Sequence, residues 1–572
     1  MPLSESTHEF DAPALQAIPA STGERLSSYP HLPLRPTGER QRLIVRTVEL
    51  ENRLTRVKIC PDLGGRIVEW FDKRTGTAIV ELPSVLPVDQ AGRRGASSPI
   101  GIQWYAGNSD RANAMGPVDF QLHEGEQGDS TVILHELVVG EPIGVHVSLT
   151  LGADDAGLRV AMRLQSRTWD AYPAGLGWIL PAFGEALEGG SGYALYDADE
   201  RRGISLSAEP GTFLPAEGTR VAILDPAMHA LGPMGCSAAE CRLDPISDLP
   251  SLDALGAGVF LSLGESLEVQ SSVPIERGTA YLQTATGEAF SSPLTLDPAS
   301  KFRVNLVGGL ANPQGVRIHD ASGSETLCWP VRSAASAPRL GNQELFEIGA
   351  LLRDPETAPL AALAKHPAAG YGVALARARR QIEARNWSAA RDCLSTALEV
   401  GSDSVIPWWL FATVQRMADD EADNGPLLNA HFLSPLEPVL RAEAFLTQPQ
   451  AMGAEPSALV APVARDPEAV LDVACLLLEL GWFDQAHRWI DECLRHAEVP
   501  MLRVLLAWAY RTHSRMESEA GEQLRRASST GIQPPYPWRA MEIRAICELR
   551  QFLPDDPAIA AWSSLLEDHG VV

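Results

Sequence analysis

The hydrophobic period of this chain changes once, at a run of small residues, Ser333-Ala334-Ala335-Ser336-Ala337-Pro338. Before that run, short β-like segments alternate with Gly, Pro, Asp and Asn, and the helical period never persists beyond a turn or two. After it the chain is rich in Ala, Leu, Arg and Glu and reads as helix to the end. One hydrophobic core rarely serves 572 residues, so the change of period marks a change of domain. The expected division is an extended arm over 1–41, an antiparallel β region over 42–332 with a small β extension from about 275, a linker over 333–340, and paired helices over 341–572.

Within the β region, Thr131 to Val138, Val145 to Leu151, Leu158 to Leu164, Gly258 to Leu263, Ser266 to Val273, Ala280 to Ala285 and Phe302 to Val307 have strand-like composition and length. Many short strands separated by turn signals predict a large antiparallel sandwich, not a parallel sheet with crossover helices.

The helical region carries an internal frame. Ala378, Trp387, Ala390 and Ala397 recur as Ala474, Phe483, Ala486 and Cys493, with Gly481-Trp482 at the turn, and Ala520, Leu524 and Ala527 form a third, weaker copy. Small residues at these positions let two antiparallel helices approach closely while an aromatic wedges between them. The frame resembles the tetratricopeptide repeat, departing from it at Arg377 and at Ser402, where the family usually closes with Pro. That resemblance implies an interaction array. With only two fair copies, the array is expected to pack against the β region, because Trp408-Trp409, Trp482 and Trp538 need a covering surface.

The stretch from Arg46 to Gly116 reads as the floor and rim of a ligand site. Gly64-Gly65 allows a turn that a side chain would block, and Arg66 leaves it. Gln103, Trp104, Tyr105, Asn108 and Arg111 then mix rings with amide and charged groups, which suits a ligand with apolar faces and hydroxyl edges. A glycine turn in any sandwich reads similarly, and Arg66 fits a scaffold role as well as a ligand contact. Trp178 shares a strand with Leu176, Ile179 and Leu180 and reads as core before platform, whereas Trp104 is the better platform.

Pro61-Asp62-Leu63-Gly64-Gly65-Arg66-Ile67, Gly101-Ile102-Gln103, Pro117-Val118-Asp119-Phe120 and Trp178-Ile179-Leu180-Pro181-Ala182 together resemble a bacterial domain of unknown function related to the galactose mutarotases, over about residues 42–200. The resemblance implies a supersandwich whose concave face holds a carbohydrate, in the class of proteins that epimerise, cleave or hold sugars. This chain departs from the pattern at Gln103, where an acidic residue usually follows Gly-Ile, and at Trp104-Tyr105, where the family has Phe-Asn. An amide does not titrate in a useful range, so an enzyme would need its acid and base elsewhere. His123, Glu185 and Glu188 are the candidates, with His135-Glu136 a further titratable pair.

Three functions follow: an epimerase or glycoside-cleaving enzyme, a sugar-binding module without turnover, and an adaptor or self-associating protein working through its helical repeats. Charge narrows the partners. With 47 basic against 73 acidic residues and no Lys/Arg-rich block, nucleic acid and anionic membrane are poor partners. The eight cysteines lack paired metal-ligand spacing, so no metal or cofactor is expected. The N-terminus has no signal-like apolar run and no span of eighteen apolar residues occurs, which predicts a cytoplasmic protein.

Overall fold

The computed structural model describes residues 3–17, 29–30, 34–88, 98–107, 116–125, 128–170, 172–182, 184–189, 192–208, 214–215, 220–224, 230–232, 234–284, 289–306, 313–330, 367–401, 403–418, 425–447 and 456–572. The linker expected near 333–340 lies outside them. Strands β1 (Leu3–Ala17), β2 (Leu34–Glu51), β3 (Thr55–Cys60), β4 (Arg66–Asp72) and β5 (Thr77–Val80) form one sheet in that order. The first of these was expected as an extended arm. It is instead a paired strand, held by Phe10 and Ala12, which bury against Val45, Leu63 and Val68.

Next come β6 (Gln103–Gly107), β7 (Asp119–Glu124), β8 (Ser130–Leu137), β9 (Ile143–Leu151), β10 (Leu158–Ser166), β11 (Tyr172–Pro173), β12 (Gly175–Ile179), β13 (Glu185–Gly189), β14 (Gly192–Asp197) and β15 (Arg202–Ala208). They are followed by β16 (Leu214–Pro215), β17 (Arg220–Leu224), β18 (Ala230–Leu231) and β19 (Cys236–Ser247). Eight of these make a sheet in the order β13-β14-β15-β19-β10-β9-β8-β7, and four make another in the order β16-β17-β12-β6.

The four-stranded sheet joins the β1–β5 sheet where Ile67 and Ile102 exchange backbone hydrogen bonds of 3.0 and 2.9 Å. Gly101 makes this possible: its φ is +72°, and a Cβ there would lie 2.1 Å from the Ile67 carbonyl oxygen. The joined layer faces the eight-stranded sheet across a core that includes Val57, Ile67, Trp70 and Trp104 from one side and Val132, Leu149, Val160 and Leu243 from the other. Two further four-stranded sheets between Ala254 and Trp329 enclose a smaller core around Leu261, Val269 and Ile318. Every pairing between strands among the described residues is antiparallel, as the strand spacing predicts, and one isolated parallel bridge joins Asp11 to Val85.

Helices follow: α1 (Pro367–Glu383), α2 (Trp387–Val400), α3 (Val405–Ala418), α4 (Gly425–Leu433), α5 (Pro438–Thr447), α6 (Pro456–Ala464), α7 (Pro467–Glu479), α8 (Phe483–His496), α9 (Pro500–Ala509), α10 (Glu517–Thr530), α11 (Ala540–Phe552) and α12 (Pro557–Asp568). The repeat frame marks helix contacts: Ala378, Ala390, Ala397, Ala474, Ala486, Cys493, Ala520, Leu524 and Ala527 are all buried in one core. The chain is thus antiparallel β followed by helical array. The array does not stand apart, since Leu137 and Met234 of the β half belong to its core.

Candidate functional site

The Gly64-Gly65 turn is tight in fact as well as in sequence. Both residues are left-handed (φ +75° and +69°), and a Cβ on Gly65 would meet Leu134 Cδ1 at 2.7 Å. Arg66 then folds back under the turn, donating Nε–H to the Leu63 carbonyl at 2.6 Å and Nη1–H to the Ser98 carbonyl at 2.7 Å. Gln103 Nε2 donates to the same Ser98 oxygen at 2.8 Å. Burial pushes the Arg66 pKa down to about 10. A buried guanidinium bonded to main-chain carbonyls ties the turn to the loop before β6, which is a scaffold role.

Trp104, expected as a surface platform, is instead a core residue. It lies directly across from Trp178, and both indoles sit between the two sheet layers, at 1% and 0% exposure. The polar neighbours that suggested exposure point the other way, because successive strand residues face opposite sides. Gln103 and Tyr105 occupy that other face, where Gly177 leaves space for the Tyr105 ring: a Cβ at 177 would lie 2.6 Å from its hydroxyl. Tyr105 is buried as well. Asn108 and Arg111 lie outside the described residues.

The proposed proton-transfer residues do not meet. His123 is exposed on β7, and Glu185 and Glu188 are exposed on β13, at opposite edges of the eight-stranded sheet. Seven strand spacings separate them, roughly 30 Å at the usual interstrand distance. One sugar ring cannot bridge that gap, so His123 and the two glutamates cannot form an acid–base pair.

The structure brings together a different set, at the seam between the two halves. Arg163, Gln165 and Arg167 leave β10 and its end toward the helices. Arg163 donates to the Leu433 carbonyl, and Gln165 Oε1 accepts from the Val405 N–H at 3.1 Å. Ser404 and Tyr371 hydroxyls both donate to the Met234 carbonyl, at 2.6 and 3.0 Å. Arg167 pairs with Glu437 at 2.7 Å and with Asp472. His135, one of the titratable pair considered above, lies 3.6 Å from the same Glu437.

Beside this network a cavity of about 440 Å³ opens between the loop after β10 and helices α1, α7 and α11. Trp169 comes from the loop, Arg379 from α1, Asp472 and Glu479 from α7, and Arg544 from α11; Trp538 and Arg539 precede α11. The Arg379 guanidinium lies 4.8 Å from the Trp169 ring centre. Glu479 interacts with four of them: burial raises its pKa to about 7, against the lowering charges of Arg379 and Arg544 and a hydrogen bond from the Trp169 indole, while Asp472 raises it further. A second groove of about 490 Å³, walled by Trp387, Trp482, Phe483 and Trp508, continues from the first through the shared Glu479 and Arg544.

Sequence reading missed Trp169, Arg379, Glu479 and Arg544, which share no local motif. Its one usable signal was Trp538, an aromatic in need of a surface. No group of His, Cys, Asp and Glu arranged to hold a metal ion occurs among the described residues, and no described helix is long and apolar enough to cross a membrane.

Residues 26–165 match the family described as Domain of unknown function (DUF5107). A TPR-domain containing protein of known structure from Parabacteroides distasonis is 13% identical, and the likeness covers 97% of this chain and 96% of that one at a TM-score of 0.36. A galactose mutarotase-like protein from Clostridium acetobutylicum is 12% identical over 36% of this chain and 96% of its own, at a TM-score of 0.25. A putative aldose 1-epimerase from Escherichia coli K12 is 11% identical over 35% of this chain and 98% of its own, at a TM-score of 0.23.

Proposed function

We propose that this chain is a carbohydrate-binding protein whose ligand site is the cleft between the β half and the helical array. One observation carries the reading: indole rings, guanidinium groups and carboxyls contributed by both halves converge on a single cavity of about 440 Å³. Sugar rings present an apolar C–H face and a rim of hydroxyls, and a wall of this composition matches both. The motif resemblance of residues 42–200 to the mutarotase-related family supports sugar as the ligand class. Binding without turnover is favoured because the sequence candidates for acid and base stand at opposite sheet edges.

Titration of the full chain with a panel of monosaccharides, followed by calorimetry and tryptophan fluorescence, tests the reading. Saturable binding that Trp169→Ala abolishes is the expected result. Binding unaffected by Trp169→Ala would move the site elsewhere, and no binding to any sugar would end the carbohydrate reading.

A second reading, a protein-interaction adaptor, is favoured by the groove of Trp387, Trp482, Phe483 and Trp508 along the helices. Peptide capture that is lost in Phe483→Ala, with no sugar binding, would establish it in place of the first.

A further inference from the structure

The cleft and the groove beside it are carried by the same helices. On α1, Arg379 lines the cleft and Glu383, one turn further on, lines the groove. On α7 the wall runs from Asp472 and Leu476 in the cleft through Glu479 to the Gly481-Trp482 turn in the groove, and Arg544 of α11 lines both. Asp472 and Glu479 stand seven residues apart on α7, roughly 10 Å along its axis, so the path from the floor of the cleft into the groove is longer than one sugar ring. Each cavity alone, at about 440 and 490 Å³, has the size of a site for one small ligand.

The cations along this path are already matched inside the protein. Arg379 lies 4.8 Å from the Trp169 ring centre and donates to Glu383 at 3.0 Å; Arg544 lies 5.6 Å from that of Trp508 and donates to Glu548 at 2.7 Å. Arg539 lies 4.4 Å from the Trp538 ring centre and donates to Glu542 at 3.1 Å and to Glu468 at 2.7 Å. Each guanidinium thus has an indole beside it and a carboxylate to balance it. A charged ligand would have to displace one of these partners or face a like charge, which costs several kcal/mol. A hydroxyl needs no such exchange, since it accepts from a guanidinium N–H and donates to a carboxylate oxygen while both keep their charge.

We propose that the ligand is a neutral oligosaccharide lying across both cavities, with one ring in the cleft beside Trp169 and Trp538 and the following rings in the groove against Trp387 and Phe483. The proposal rests on the reading of the cleft as a sugar site and names its ligand class. Aromatic side chains are spaced along the path instead of gathered at one point, which suits a ligand that repeats an apolar ring face. Gln485, in the first turn of α8, adds an amide that both donates to and accepts from hydroxyls on the groove side.

The test is calorimetric titration of the full chain with glucose, maltotetraose, cellotetraose and tetragalacturonate. We expect one of the two neutral tetrasaccharides to bind at least about tenfold more tightly than either glucose or tetragalacturonate. Phe483→Ala should remove that advantage over glucose. Gln485→Ala, a change at a half-buried polar side chain, is the second variant and should reduce the advantage by about 2- to 10-fold, the worth of one hydrogen bond. Glucose binding as tightly as both neutral tetrasaccharides would overturn the extended site, leave the carbohydrate reading of the cleft standing and return the groove to a peptide. Tetragalacturonate binding as tightly as the neutral tetrasaccharides would overturn the assignment of a neutral ligand. An advantage that survives in both variants would overturn the path through the groove, and absence of binding by all four sugars would overturn the proposal together with the reading it rests on.

Discussion

Arg167, at the end of β10, donates to the Glu437 carboxylate at 2.7 Å just before α5, and this pair crosses the seam between the β half and the helical array with both side chains buried. Burial alone would raise the Glu437 pKa. The charge of Arg167 and the hydrogen bonds from His135 and Arg167 outweigh it and hold the carboxyl at about 2. Its partner responds oppositely: burial lowers Arg167, but Asp472 and Glu437 keep it raised above its ordinary value.

Removing one member of a buried pair leaves the other charged and uncompensated, which typically costs about 3–5 kcal/mol. Arg167→Ala is therefore expected to lower the denaturation midpoint sharply at pH 7. Glu437 has a depressed pKa, so its contribution is complete above its ordinary 4.5 and fades as pH falls through about 2. Urea unfolding at pH 7 and at pH 3 checks both statements. A variant within about 0.5 kcal/mol of the parent at pH 7 would mean that the seam does not depend on this pair.

The glycine joining the two parts of the sandwich layer gives a sharper contrast. Gly101 and Gly76 share a left-handed φ (+72° and +73°), but a Cβ at 76 meets nothing within 4 Å, whereas one at 101 would strike the Ile67 carbonyl. Gly76→Ala is expected to cost only the conformational term, about 1 kcal/mol. Gly101→Ala adds the loss of the Ile67–Ile102 bridge and should cost at least twice as much. Equal losses from the two variants in parallel denaturation curves would show that the bridge carries no weight.

These residues also show what was legible in the sequence. The change of period and the alternation of strands depend on nearest neighbours, so the antiparallel β half and the helical half were readable, as was the glycine turn before Arg66. Trp104 was misplaced because its polar neighbours were read as its environment, although Gln103 and Tyr105 face the opposite side of the same strand. His123 and Glu185 were grouped by their chemistry, but sheet order is not sequence order, and it puts them on opposite edges. The cleft was the least readable: Trp169 and Arg544 are brought together only by the docking of helices onto β10.

The repeat frame yields a stabilising substitution. Gly481, in the α7–α8 turn, has φ +72°, and the corresponding position in the α1–α2 turn is Arg385, held at φ +56°. A side chain there bears the left-handed cost that glycine avoids, partly offset by the greater freedom of glycine in the unfolded chain. Arg385→Gly is expected to raise stability by about 0.5–1 kcal/mol. Thermal unfolding measures it, and a lowered midpoint would mean that Arg385 makes a favourable contact that the turn geometry hides.

Glu479 offers the clearest pH signature. Burial raises its pKa to about 7 in the folded chain, against an ordinary value of 4.5, with Arg379 and Arg544 opposing the shift and Asp472 adding to it. Between those two values the folded state holds a proton that the unfolded state has released, so stability falls as pH rises from about 4.5 to 7 and the full cost is present above 7. Glu479→Gln removes the titrating group while keeping its shape. The variant should match the parent near pH 4.5 and exceed it by about 1–3 kcal/mol at pH 8, the range expected for a half-buried carboxyl shifted this far. Denaturation series across pH 4.5 to 8 decide the matter. A difference between the two proteins that does not change with pH would show that the Glu479 carboxyl titrates alike in the folded and unfolded chain, its burial being offset by the charges of Arg379 and Arg544.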